Sequence, residues 1–128
     1  MSDDQTRFAA GLKIRHEMFG RAGAEDRWEA TTAFNRPFEE FVSRHCFGET
    51  WSRPGLDRRT RSLLTLAVLT ALVRPNQLRN HVRGALANGV TPDEIREVLM
   101  HVVDYAGIPA GVEAFTAAGE VLAERGLK

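Results

Sequence analysis

The segment that most constrains the fold runs from Arg58 to Val73, and it is apolar on most of a helical circumference. Its apolar side chains are Leu63, Leu64, Leu66, Ala67, Val68, Leu69, Leu72 and Val73. Asp57 precedes the segment and is predicted to be its N-cap, because an aspartate there can accept from a free backbone N–H. A helix of this kind needs neighbours on nearly every side. It is therefore predicted to be central, in a protein that self-associates.

Glycine and proline divide the N-terminal half into further helical segments. Apolar spacing predicts a first helix that ends at Gly20 and carries Phe8, Leu12, Arg15 and Phe19 on one face. Trp28 and Phe34 are predicted to lie on a short second helix. Pro37 suits the first position of a third helix, because its ring fixes φ and its missing N–H would be unpaired there anyway. That helix is predicted to end before Gly48.

The C-terminal half carries clear start and stop signals. Pro75 begins a helix that is predicted to end at Gly89, since glycine is the usual left-handed terminator. Thr91 and Glu94 form a capping-box pattern at the start of the next helix, which closes at Gly107. A final helix is predicted over about 110–125. The sequence shows no strand-like alternation, so the fold is predicted to be all-α with six or seven helices.

Size and composition exclude several classes of function. A chain of 128 residues is predicted to form one domain, residues 1–128. Its 17 basic and 17 acidic side chains balance, so neither nucleic acid nor a membrane surface is an expected partner. The N-terminal sequence lacks a basic region followed by an apolar core, so we expect no signal peptide and a cytoplasmic location. The lone Cys46 excludes an internal disulfide and a Cys-x-x-Cys redox pair.

The stretch from Gly48 to Arg61 holds the strongest signal for a binding site. Four arginines, a tryptophan and a Pro-Gly turn lead directly into the apolar helix. Guanidinium groups pair with carboxylates through two hydrogen bonds and stack on aromatic rings. The stretch therefore predicts a pocket for a small molecule with several negative charges.

Three stretches resemble the 4-carboxymuconolactone decarboxylases, namely Arg53–Ala67, His81–Thr91 and Tyr105–Ala110. The resemblance extends over most of the chain, from roughly Gly11 to Leu122. It implies an all-α fold like that of alkylhydroperoxidase D, and a homo-oligomer such as a trimer or hexamer. The implied activity is cofactor-free decarboxylation of 4-carboxymuconolactone to the 3-oxoadipate enol-lactone, in the protocatechuate branch of the β-ketoadipate pathway.

This resemblance suggests roles for six residues, each of which also has a plain structural explanation. His81 is the candidate proton donor, although a histidine on an apolar helix face is often only a core residue. Glu49 would orient that imidazole or act as the acid itself, or it is a solvated loop carboxylate. The candidates for binding the substrate are Arg53, Arg58, Arg61 and Trp51. Salt bridges or subunit contacts would explain the arginines equally well, and an interface anchor would explain the tryptophan.

The sequence leaves two other functions open. The first is a thiol-dependent peroxidase or disulfide reductase of the same fold. Against those relatives, Arg74 and Gln77 occupy the two cysteine positions and Ser62 lies close to the glutamate position, so the redox groups are missing. The second is a non-catalytic, oligomeric ligand-binding protein. No His, Asp or Glu cluster has the spacing of metal ligands, so no metal is expected. The resemblance to the decarboxylases implies that no cofactor is needed.

Overall fold

A computed structural model describes residues 2–127, and Met1 and Lys128 lie outside this range. Within it the chain forms seven α-helices and no strand, so the all-α prediction is confirmed. The helices are α1 (Asp3–Phe19), α2 (Glu25–Glu29), α3 (Arg36–Phe41), α4 (Arg58–Ala71), α5 (Pro75–Ala87), α6 (Pro92–Ala106) and α7 (Ile108–Glu124). None of these helices is long and apolar enough to cross a membrane.

The chain divides into two compact units, Met1–Leu56 and Asp57–Lys128. The first contains α1 to α3, a short 3₁₀ turn at Arg21–Gly23 and a π-helix at Val42–Thr50. The second contains α4 to α7. The prediction that residues 1–128 form one domain stays a prediction.

Backbone packs directly against backbone in the first unit, where α1 lies along the π-helix. A Cβ on Gly11 would collide with the carbonyl oxygen of Ser43, and one on Gly48 would collide with that of Arg7. Only glycine permits so close an approach at these two positions. The last turn of α1 ends at Gly20, as predicted, with φ of 74°.

Three predictions for the first unit need correction. Phe34 lies outside α2, in a turn that Asn35 stabilises by accepting the Thr32 N–H at 2.8 Å. Pro37 is the second residue of α3 rather than the first. The third helix does not end before Gly48, because it continues as the π-helix to Thr50. A glycine usually stops a helix, but here Gly48 is needed for the contact with α1.

Local signals place the helix ends of the second unit to within two residues, and α7 begins two residues earlier than predicted. The Asp57 carboxylate accepts the Thr60 N–H at 2.7 Å and begins α4. Thr91 and Glu94 form the predicted capping box of α6. Gly89 and Gly107 end α5 and α6 with positive φ angles of 89° and 100°. The C-terminal end of α4 comes two residues earlier than predicted.

The core of the second unit explains which face of α4 is buried. Leu66 of α4 is fully buried among residues that include Leu78, Val82, Ile95, Leu99 and Val121. Leu64, Val68 and Leu72 are 52%, 55% and 56% exposed. A single chain therefore leaves one side of α4 without neighbours, as expected for a helix that needs more of them than a small monomer provides, and the self-association that would cover this side stays a prediction. An apolar stripe at spacing i, i+4, i+8 remains accessible.

Candidate active site

His81 lies in the middle of α5, between two residues of the hydrophobic core. Leu78 and Val82 are buried, and the imidazole itself is partly buried. Burial lowers the pKa of His81 to about 4, because the charged imidazolium loses solvation. In the isolated chain the ring is therefore neutral near pH 7.

Two ion pairs link α5 to α7. Arg79 Nε lies 2.7 Å from Glu120 Oε2, and Arg83 Nη2 lies 3.1 Å from Glu124 Oε1. The Glu120 partner raises the pKa of Arg79, and Arg79 lowers the pKa of Glu120, so each group favours the charged form of the other. The two arginines thus have structural contacts of their own. They point elsewhere than His81, as the helical spacing predicts.

Arg58 and Arg61 occupy the first turn of α4, three residues apart and both partly buried. The free N–H groups of such a turn, with the helix dipole, favour an anion. Hydrogen bonds from Thr60 to the Asp57 cap lower the pKa of that carboxyl group, so the cap is ionised and the turn well defined. The neighbouring Arg59 forms an ion pair with Glu94 of α6. That contact gives Arg59 a structural role.

The first unit holds the other three candidates at the end of the π-helix. Glu49 lies on this helix rather than in a loop, with its Oε2 3.4 Å from Nδ1 of His45. Trp51 follows directly, is 8% exposed, and stacks on Phe47 with ring centroids 5.7 Å apart. Arg53 is exposed, and its backbone N–H donates to Thr50 at 3.1 Å. The predicted contact between Glu49 and His81 stays a prediction.

An apolar groove of about 420 Å³ opens between α4 and α6 in the second unit. Its lining residues are Thr60, Leu63, Leu64, Ala67, Glu97, Val98, His101 and Val102. The lining offers no arginine, and the Glu97 carboxylate would repel an anion. The groove is therefore a poor site for a dicarboxylate, although its volume would suffice.

The positions that carry redox groups in thiol-dependent relatives have other contacts here. Arg74 and Gln77 are exposed at the start of α5, and the Arg74 guanidinium donates to the Leu72 carbonyl at 2.8 Å. Ser62 is buried and accepts a hydrogen bond from Asn88 at 3.0 Å. Burial raises the pKa of the Cys46 thiol, which disfavours the reactive thiolate. Within residues 2–127, no three His, Cys, Asp or Glu side chains could hold a metal ion.

Comparison with known proteins shows the family to which the chain belongs. The model of the carboxymuconolactone decarboxylase family matches residues 36–120. The chain belongs to this family. The matched range contains all six candidate residues, three of which lie on α4 and α5. It ends within α7.

Two relatives that are named for an activity share long stretches with this chain. The 4-carboxymuconolactone decarboxylase of Acinetobacter baylyi is 45% identical over 125 residues, which cover 98% of this chain and 93% of that protein. The nitrosuccinic acid decarboxylase of Metarhizium robertsii is 41% identical over 107 residues, or 84% of this chain and 75% of that protein. Both relatives are named as decarboxylases.

A buried polar network in the first unit is absent from the sequence predictions. Arg15, Glu39 and Ser43 are 7%, 4% and 1% exposed, and hydrogen bonds join them. One signal could have revealed it, because Arg15 falls in the apolar register of α1 with Phe8 and Phe19. An arginine in such a register requires a buried partner.

Proposed function

We propose that this chain is a cofactor-free 4-carboxymuconolactone decarboxylase that forms the 3-oxoadipate enol-lactone. The observation that carries the proposal is the 45% identity to a protein of that activity over nearly the whole length of both chains. The groups of the candidate site suit the reaction. They comprise arginines for an anionic substrate and a partly buried histidine for proton transfer.

The substrate itself supplies the electron sink. Its departing carboxylate is attached to the lactone carbon next to the C=C bond. When that C–C bond breaks, CO2 leaves and the electron pair moves through the alkene onto the lactone carbonyl. The resulting dienolate then takes a proton at its α-carbon. The enzyme must hold the second carboxylate, stabilise the new oxyanion and deliver this proton.

Arginines and a helix N-terminus would hold the spectator carboxylate. Arg58 and Arg61 share the first turn of α4, where the backbone dipole adds to their charge. Arg53 would contribute a further guanidinium, and Trp51 a flat wall against the lactone ring. Each of these assignments is part of the proposal.

Proton delivery would depend on substrate binding. The pKa of His81 is about 4 without substrate, so the free enzyme carries a neutral ring at pH 7. A bound dianion close to the imidazole favours its charged form and raises that pKa. The substrate would thereby help to protonate its own acid, and Glu49 would add to the effect if it pairs with His81.

The assay that tests the function supplies purified protein with 4-carboxymuconolactone and follows CO2 release and enol-lactone formation. We expect rapid turnover that added chelator leaves unchanged. Nitrosuccinate is the second substrate to test, because a 41% identical relative is named for it. Its carboxylate also leaves a carbon whose charge spreads into a neighbouring group, here the nitro group. If nitrosuccinate is turned over faster, it replaces the lactone as the proposed substrate. If the protein turns over neither compound, the proposal is refuted.

Self-association and location are further parts of the proposal. Leu64 and Val68 of α4 and its C-cap residue Leu72 form an exposed apolar stripe, of a kind that monomers rarely leave open. A homotrimer or homohexamer would bury it. A cytoplasmic location suits a chain with one cysteine and so no internal disulfide.

Light scattering is expected to show an oligomer at micromolar concentration. The Val68→Lys variant is expected to shift toward monomer, because burial of a lysine without a partner in the interface is costly. Ala123→Lys, at an exposed site on α7, is the control and should leave the mass unchanged. A wild-type monomer would contradict the proposed association.

A further inference from the structure

One buried guanidinium joins three elements of the first unit. Arg15 of α1 lies 3.2 Å from Glu39 of α3 and donates to Ser43 of the π-helix at 3.0 Å. Its guanidinium carbon also lies 5.6 Å from the centre of the Phe47 ring, within the range of a cation–π contact. Arg27 bonds the other oxygen of Glu39 from a half-exposed position.

Stability alone explains this ion pair poorly. Both partners are more than nine-tenths buried, and desolvation of two charges commonly offsets most of their attraction. The Arg15 Nε is buried without a hydrogen-bond partner within residues 2–127, which adds to the cost. The guanidinium instead fixes geometry, because its planar group of N–H donors holds several partners in defined positions at once.

The residues that contact Arg15 are in turn in contact with, or close in sequence to, candidate site residues. Phe47 lies against Arg15 and also stacks on Trp51, with an angle of 26° between the rings. Glu49 lies on the same π-helix as Phe47, two residues before Trp51, which caps the end of that helix. Helices of this type are rare and hold their shape through surrounding contacts. Loss of the Arg15 contacts would therefore let the end of the helix shift.

We propose that Arg15, held by Glu39, is a positioning residue that sets the place of Trp51 and Glu49. Its role in turnover rests on the decarboxylase function proposed above. Its effect on Trp51 does not. A displacement of the indole would weaken substrate binding, and a displacement of the carboxylate would lower kcat.

The experiment compares Arg15→Met with Arg27→Met, both in a Trp28→Phe background where Trp51 is the one remaining tryptophan. Arg27→Met is the matched control, because it removes an ion pair to the same Glu39 from the exposed side. In Arg15→Met we expect Trp51 emission to move to longer wavelength and kcat/KM to fall about tenfold or more, since small misplacements slow catalysis strongly. Arg27→Met is expected to keep the parent emission and kcat/KM.

Parent emission and kinetics in folded Arg15→Met would overturn the proposal and leave the ion pair a purely stabilising contact. Equal changes in both variants would overturn it too. If Arg15→Met does not fold, Arg15→Lys decides the question, because lysine keeps the charge opposite Glu39 but lacks the fork and the flat stacking surface. It must then show the same red shift, and parent emission counts against the proposal. If the parent protein lacks decarboxylase activity, the emission comparison still tests the positioning of Trp51.

Discussion

Replacement of His81 by Gln is expected to lower kcat by about two to four orders of magnitude, the usual contribution of general acid catalysis. Glutamine is similar in size and can still donate a hydrogen bond on α5. It cannot transfer a proton near neutral pH. Steady-state kinetics with 4-carboxymuconolactone, together with solvent deuterium incorporation at the α-carbon, would measure the effect.

The pH dependence of folding provides the control for this variant. The pKa of His81 is about 4 in the folded chain, below the ordinary value of 6.5. Between these two pH values the unfolded chain binds more protons, so protonation favours unfolding. Wild-type protein therefore loses stability as the pH falls from 6.5 to 4, by no more than about 3 kcal/mol from this residue. His81→Gln should lack that component, which denaturant unfolding at several pH values would measure.

Two results would assign His81 a structural role instead. One is wild-type turnover in His81→Gln. The other is a large loss of stability at pH 7, which would show that the ring mainly supports the core. The proton donor would then be sought at Glu49, at Tyr105 or in an ordered water. If His81 is the proton donor, the effects of Glu49→Gln and His81→Gln on kcat should be less than additive, because the two groups would act in one step.

Loss of a substrate-binding arginine is expected to have the next largest effect. Replacement of Arg53, Arg58 or Arg61 by Leu should raise KM by roughly 30- to 150-fold, which corresponds to about 2–3 kcal/mol for a desolvated charge-assisted pair. The change should fall mainly on KM if the carboxylate is held equally in the ground and transition states. Initial rates over a range of substrate concentrations would separate KM from kcat.

Arg59→Leu is the matched control for these arginines. It lies between Arg58 and Arg61 on the same helical turn, but it forms an ion pair with Glu94. Its removal should lower thermal stability slightly and leave KM unchanged. Unaltered kinetics in all three test variants would show that these arginines have a structural role and do not bind the substrate. A change confined to one variant would identify the residue that holds the carboxylate.

Helix positions could be predicted where the signal is local. The Asp57 cap, the Thr91–Glu94 box and Gly107 act through hydrogen bonds or backbone angles within a few residues, so their effect is readable from the chain alone. The arginines and Trp51 belong to a stretch whose composition already predicts an anion pocket, and the motif resemblance gave their roles and added His81 and Glu49. For them the structure supplies burial and position in the fold, and for His81 a lowered pKa, while the roles stay predictions.

The π-helix and the buried Arg15 network could not be predicted in the same way. Gly48 would ordinarily end a helix, but the close approach of α1 at Gly11 and Gly48 carries the chain on to Thr50. That register places Glu49 beside His45 and Trp51 against Phe47. The exposed stripe of α4 likewise depends on which helices pack against it. These features arise from contacts between residues far apart in sequence, where packing outweighs local preference.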